Sequence, residues 1–369
     1  MKNKIVTALA GSLFGLGLAS ASVAQTTVSG NLDLAYHAVS SNATGGSYRA
    51  VGRETQINLA NKGKLSNGMD YAAGFSWEVE GGEQLGVSKS ADSDSANASN
   101  ENVYIDFFYN KDSYVSVSND HVPNTDVTFT NLVGWGYLGG QGIGNRTQLY
   151  PTSLNTSGYG VGLSHNFGPM RLSGTYVPNP DKEGAGVNDT GHTLTGAADT
   201  SQNSKVEITA RGDLGVKGLD LMLGISRQDK ISSGTAVDAT SQDPNGKRAS
   251  IKYNAGDITV AADMIKVEGQ NITAGVATAA TTTAAHELTG KSIGIAYAIN
   301  KDLSIGYTRS KADTNQAGFV DEKVNHYAIG YNLGAVSASV MYRDAEGVAG
   351  MTGANGEGEI LAVKLSTRF

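Results

Sequence analysis

Histidines and their neighbouring carboxylates are the residues of this chain whose types suit catalysis or metal binding. A helix-borne zinc site needs two histidines in a His-x-x-x-His or His-Glu-x-x-His spacing. The chain has neither spacing, and its six histidines are His37, His121, His165, His192, His286 and His326. Asp120-His121 is the pair that would suit a hydrolase, but adjacent strand residues point to opposite faces and such dipeptides are common in loops. The sequence therefore predicts no metal site, no bound cofactor and no catalytic centre.

A glycine-rich stretch, the cysteine count and the charge balance exclude further chemistry. Gly139 opens the stretch GGQGIGN, which lacks the following Lys-Ser/Thr and the helix of a phosphate loop. Because the chain has no cysteine, it forms no disulfide, thiolate zinc site, thiol nucleophile or iron–sulfur cluster. The 28 Lys and Arg against 35 Asp and Glu give a net charge of −7, so no basic field attracts nucleic acid. The function is therefore expected from the architecture.

The first 24 residues have the form of an export signal. Lys2 and Lys4 precede an uncharged run over 5–18, and Ser22-Val23-Ala24 has the small-x-Ala form that signal peptidase reads. A membrane anchor would need about 20 apolar residues, and this run is shorter and broken by glycines. We expect cleavage after Ala24 and a mature single domain over 25–369.

The mature chain alternates apolar and polar residues with period two. Over 69–80 every second residue is apolar, which places apolar side chains on one face of a strand and polar or small ones on the other. The same pattern recurs around Leu32, Ile105 and Leu223 and persists to Phe369. The 48 glycines disfavour long helices, and no later stretch has 18 uninterrupted apolar residues. Membrane insertion is thus expected only as a closed barrel.

Short and long connections alternate between these predicted strands. Seven short ones are rich in Gly, Asn, Asp and Pro, at 62–68, 110–112, 166–169, 215–218, 254–257, 300–302 and 332–335. Eight long ones are mostly polar, at 40–50, 81–100, 119–145, 178–204, 229–246, 268–287, 312–322 and 345–357. They predict an all-β, sixteen-stranded antiparallel barrel of the outer-membrane type, with short periplasmic turns and long external loops.

The second face of the strands distinguishes this barrel from a soluble sandwich, whose alternation is similar. That face carries charged residues among Ser, Thr, Gly and Ala, which suit a water-filled lumen. These residues are Asp33, Asp70, Asp106, Arg171, Lys205, Glu207, Arg211, Asp220, Lys252, Asp263, Lys364 and Arg368. The apolar face is then expected to meet lipid.

These features resemble the Gram-negative general porins, over the whole mature chain. The resemblance rests on the opening TVSGNLD at Thr27, on LSNGM at Leu65, on GNRTQLYPTSLNTSGYGVGLSH over 144–165 and on the terminal Phe369. It implies a sixteen-stranded homotrimer of the outer membrane that lets small hydrophilic solutes and ions diffuse through. It also implies that Phe369 belongs to a C-terminal signal read by the barrel-assembly machinery.

In porins of this kind the third external loop folds into the lumen, which here implies a constriction loop over 119–145. Its centre is markedly apolar, as a loop packed inside the barrel would be. The resemblance makes Asp120 and Asp126 candidate acids at the constriction. They would face a basic wall of Arg171, Lys205, Arg211, Arg248, Lys252 and Arg343. Opposed charges across a pore bias the permeating ion.

One departure from the family pattern bears on ion preference. Many porins have an Arg where this chain has Gln56, so one member of the basic wall is missing. Together with the acidic net charge, this favours a weak cation preference.

The expected function is a passive channel with lipid and lipopolysaccharide around it. The alternatives are a substrate-selective channel, a non-conducting adhesin or structural barrel, a barrel hydrolase and a soluble exported β protein.

Overall fold

The computed structural model describes ten stretches of the chain. They are residues 24–41, 47–82, 97–119, 129–133, 159–178, 204–228, 245–270, 286–315, 320–347 and 356–369. Within them, no helix is long and apolar enough to cross a membrane. The leader predicted over 1–24 lies outside these stretches except for its last residue.

Sixteen antiparallel strands form one closed barrel, which confirms the predicted fold. Each strand pairs with its neighbours in sequence, and the first pairs with the last through eleven residue pairs from Asn31–Arg368 to Ser41–Gly358. The strands are β1 (Gln25–Ser41), β2 (Tyr48–Lys64), β3 (Asp70–Gly82), β4 (Asn97–Asn110), β5 (Ser113–Asn119), β6 (Tyr159–Phe167), β7 (Met170–Val177), β8 (Lys205–Gly212), β9 (Leu219–Gln228), β10 (Asn245–Ala255), β11 (Ile258–Gln270), β12 (His286–Ala298), β13 (Leu303–Thr314), β14 (Glu322–Asn332), β15 (Val336–Glu346) and β16 (Gly358–Arg368).

The seven short turns lie where the sequence places them, and asparagine side chains stabilise several. The amide oxygens of Asn110, Asn300 and Asn332 each accept a hydrogen bond from the backbone N–H two residues later, at 2.8, 2.9 and 2.9 Å. This local bond mimics a backbone turn, which is why asparagine favours these positions. Asn119, the first residue of the loop predicted over 119–145, belongs to β5, and β6 begins only at Tyr159, because the pairing of β5 with β6 extends to Asn119–Tyr159.

The side-chain pattern is that of a barrel with lipid outside and water inside. On β3, Phe75 and Trp77 are 38% and 50% exposed, whereas the intervening Ser76 and Glu78 are 4% and 7% exposed. A soluble protein would bury the aromatic residues instead. Exposed aromatic residues and buried polar residues follow from strand geometry, because the barrel wall is a single sheet with one face toward lipid and the other toward the lumen.

The terminal residue helps to close the barrel at the β1–β16 junction. Gly30 N–H donates to the Phe369 carbonyl at 2.8 Å, and Phe369 N–H donates to the Gly30 carbonyl at 3.0 Å. A Cβ on Gly30 would lie 2.6 Å from the Phe369 ring. The aromatic ring therefore packs directly over the glycine, and a larger residue at position 30 would displace it.

The orientation of β1 gives a direct test of the barrel faces. Asn31 lines an internal cavity, whereas Leu34 is on the outward face and 43% exposed. In lipid vesicles, a charged thiol reagent is expected to label Asn31→Cys and to leave Leu34→Cys unlabelled. The chain has no native cysteine, so the unsubstituted protein is the background control. Labelling of Leu34→Cys alone would reverse the assignment of the two faces.

Candidate pore constriction

Residues 129–133 of the connection between β5 and β6 lie inside the barrel against its wall. We call them the inward segment. They contact side chains and backbone of β8 to β14, on the side of the barrel opposite β2 to β5. This part of the third loop therefore lies in the lumen, as the resemblance to porins implies.

A buried ion pair on β10 and β11 fastens the start of this segment. Asp263 accepts hydrogen bonds from the backbone N–H groups of Phe129 and Thr130, at 3.2 and 2.8 Å. The same carboxylate lies 3.1 Å from a terminal guanidinium nitrogen of Arg248, and the two side chains are 0% and 1% exposed. The carboxylate thus serves as acceptor for the segment and as counter-ion for the arginine.

Thr130 makes two further hydrogen bonds with the barrel wall. Its hydroxyl bonds the hydroxyl of Ser292 on β12. Its carbonyl accepts from the Thr308 hydroxyl on β13 at 2.7 Å. Three adjacent strands therefore hold Thr130 through its N–H, its carbonyl and its side chain. These bonds fix the backbone of the segment at this residue.

Three glycines of the wall, on β12, β13 and β14, pack against the rest of the segment. A Cβ on Gly294 would lie 2.9 Å from the Thr130 carbonyl oxygen, and one on Gly306 would lie 2.5 Å from a methyl of Val133. One on Gly330 would lie 3.2 Å from the other Val133 methyl. These distances are shorter than ordinary van der Waals contact. The segment can therefore lie this close to the wall only because the three wall residues are glycines without side chains.

The Phe129 side chain fills an apolar site flanked by charge. It packs with Met222, Ala261 and Leu132 in one cluster and is buried. Its ring centroid lies 5.0 Å from the Arg211 guanidinium carbon and 5.0 Å from the Lys252 ammonium nitrogen. Both distances suit cation–π attraction.

The structure places the six predicted basic residues on the lumen face of their strands, in different surroundings. Arg211 and Lys252 flank Phe129, and Arg248 is paired with Asp263. Arg171 is exposed, and its Nε donates to Asn166 at 2.9 Å. The remaining two, Lys205 and Arg343, are buried. The predicted acids Asp120 and Asp126 lie outside the described residues.

A cavity of about 980 Å³ lies between the inward segment and the wall formed by β12 to β16, β1 and β2. Its lining includes Gln56 and Asn58 of β2 and Asp33 of β1, which is paired with Lys364 of β16. The other charged side chains of the lining are Arg368 and the Lys301–Asp302 pair. Amides, hydroxyls and ion pairs therefore give the cavity a surface that water can hydrate.

Sequence reasoning missed the anchoring role of Asp263 and the apolar site under Phe129. The sequence identifies Asp263 only as one of the charges that line the lumen. Met222 carried a usable signal, because Leu221-Met222-Leu223 interrupts the alternation and puts a large apolar side chain on the lumen face. An apolar residue there is expected only if something in the lumen covers it.

Among the described residues, no group of three metal-ligating side chains is present.

Several solved porins and outer-membrane proteins share this fold. An anion-selective porin from Comamonas acidovorans has a TM-score of 0.67 and 13% identity, covering 94% of this chain and 100% of its own. OmpF of Salmonella typhi, solved with daunomycin, has a TM-score of 0.66 and 14% identity, covering 93% and 98%. OmpT of Vibrio cholerae has a TM-score of 0.61 and 10% identity, covering 95% and 99%. At these identities the likeness concerns the fold.

No curated protein matches the chain by sequence. Residues 6–348 match a family described as Gram-negative porin, which is nearly the whole chain. Together with the closed sixteen-stranded barrel, this match indicates a transmembrane β-barrel of the outer membrane that forms a diffusion channel. The chain belongs to the Gram-negative porin family.

Proposed function

We propose that this porin is a passive channel for small hydrophilic solutes and ions, with a weak preference for cations. The observation that carries the proposal is the inward segment, which is fixed to one side of the lumen and leaves a cavity of about 980 Å³ beside it. A fixed partial obstruction sets a size limit without a binding step. No reaction or cofactor is needed for this transport.

The cation preference is supported by how the basic residues of the lumen are neutralised. Arg248 is paired with Asp263, Lys364 with Asp33, and Arg211 and Lys252 share Asp220. The wall therefore has less free positive charge than its arginines and lysines suggest. The chain carries a net charge of −7, and loss of the leader with Lys2 and Lys4 makes it more acidic. The anion selectivity named for the Comamonas porin belongs to a protein only 13% identical.

Planar-bilayer recording tests this function directly. The detergent-purified mature protein is expected to give stepwise ohmic conductance, and a KCl gradient is expected to give a reversal potential of cationic sign. A current that saturates with one solute class would favour a substrate-selective channel instead. Silent bilayers from folded protein would contradict the channel and favour an adhesin or structural barrel.

The proposed partners follow from the family and from the outer surface. A trimer is proposed because OmpT of Vibrio cholerae has a solved trimer form with the same fold. Assembly by the barrel-assembly machinery is proposed to depend on Phe369, whose ring and backbone close the barrel. Export is proposed to depend on the leader over 1–24.

Contact with lipopolysaccharide is proposed at the end of the barrel that carries the long connections. Outward-facing lysines there lie in charged clusters: Lys266 is 2.8 Å from Glu268 and 3.0 Å from Glu287, and Lys311 is 2.8 Å from Asp321. The hydrogen bond from Lys311 holds the pKa of Asp321 below its usual range, so this carboxylate stays ionised. Such mixed clusters suit phosphorylated head groups and their bridging cations.

A further inference from the structure

Arg211, Asp220 and Lys252 form a charged trio on the lumen face of β8, β9 and β10. Asp220 accepts two hydrogen bonds from Arg211, at 3.1 and 2.7 Å, and its carboxylate lies 3.4 Å from the Lys252 ammonium nitrogen. One carboxylate faces two cations, so the trio has one net positive charge. Its three side chains are 40%, 22% and 31% exposed, so the trio borders the lumen and is only partly buried.

The Phe129 ring occupies the space beside both cations. It lies 5.0 Å from each of them, while its other contacts are the apolar side chains of Met222, Ala261 and Leu132. The ring face carries partial negative charge, which satisfies part of the attraction of each cation. The ring also fills volume beside both cations that a hydrated anion would need. A cluster of this charge without the ring would be a site for small anions.

We infer that Phe129 is a specificity-determining residue of the channel, which keeps the Arg211–Lys252 pair from attracting permeating anions. This inference rests on the proposed channel function. It assigns the loop a second task besides narrowing the lumen: an apolar side chain delivered by the loop masks basic residues of the wall. The cation preference then depends on an uncharged residue.

Ion selectivity of Phe129→Ala tests the inference. Removing the ring uncovers about one unit charge, and the ratio of anion to cation permeability in a KCl gradient is expected to rise about two- to fivefold over the unsubstituted protein. Phe129→Leu keeps an apolar side chain and is expected to shift the ratio in the same direction by less. The double variant Phe129→Ala with Lys252→Gln is expected to return toward the original ratio.

Leu132→Ala is the matched control, because Leu132 belongs to the same segment and the same apolar cluster. It loosens the packing while keeping the ring, so its permeability ratio is expected to shift less than that of Phe129→Ala. An equal shift in Leu132→Ala would show that loop displacement matters and would overturn the inference. No shift in Phe129→Ala or Phe129→Leu, with normal conductance of the unsubstituted protein, would overturn the inference alone. Silent bilayers of the unsubstituted protein would overturn the channel function as well.

Discussion

Asp263→Asn is expected to lower the free energy of unfolding by about 3–5 kcal/mol, because it removes the carboxylate from a buried ion pair with Arg248. The two side chains are 1% and 0% exposed, so water does not replace the lost partner. The asparagine NH₂ group also adds a donor among groups that all donate. These are the N–H groups of Phe129 and Thr130 and the guanidinium itself. The measurement is unfolding by guanidinium chloride of the protein folded in lipid vesicles.

Asp220→Asn is the matched control for this loss. Asp220 also faces basic residues of the lumen, but its side chain is 22% exposed and water reaches the partners. Its contribution is discounted for solvent screening, and we expect a loss of about 1 kcal/mol or less. Equal losses for the two substitutions would contradict a special role for the buried pair.

A double variant separates the stability of the barrel from the position of the loop. Arg248→Met with Asp263→Asn removes the buried cation as well, and most of the lost stability is expected to return. The inward segment still lacks its carboxylate anchor, so single-channel currents should stay noisier than those of the original protein. If the double variant restores both stability and quiet currents, Asp263 acts on the barrel and not on the loop.

The alternation with period two predicts the barrel well because each strand obeys it locally. Phe75 and Ser76 are neighbours in sequence, and their opposite exposure follows from strand geometry alone. The turns are equally local, since Asn110 and Asn332 stabilise them within two residues. Such features need no knowledge of the rest of the chain.

The contacts of the inward segment are hard to predict for the opposite reason. Phe129 and Asp263 are 134 residues apart, and nothing near either residue indicates the other. Asp263 and Asp220 look alike in sequence, as lumen acids between apolar neighbours. Their different roles depend on which wall positions the loop reaches, and barrel closure decides that. Likewise, the three glycines that contact the segment are not distinguished in the sequence from the rest of the 48 glycines.

Gly306→Ala is expected to lower single-channel conductance, because the added methyl group pushes the inward segment away from the wall. The new Cβ would lie 2.5 Å from a Val133 methyl. Strand β13 is held by hydrogen bonds to β12 and β14 and has little freedom to retreat, whereas the segment borders the open cavity. Overpacking of this kind costs about 1–3 kcal/mol. The segment is the part that moves.

Val133→Ala supplies the test of this mechanism, because it removes the methyl group that the new Cβ meets. The double variant Gly306→Ala with Val133→Ala is expected to recover the original conductance, although each change alone alters it. Gly52→Ala on β2 is the matched control, since a Cβ there meets nothing within 4 Å and conductance should not change. If Val133→Ala fails to suppress Gly306→Ala, the glycine acts on the strand itself. The close approach of the loop to the wall would then not determine the width of the channel.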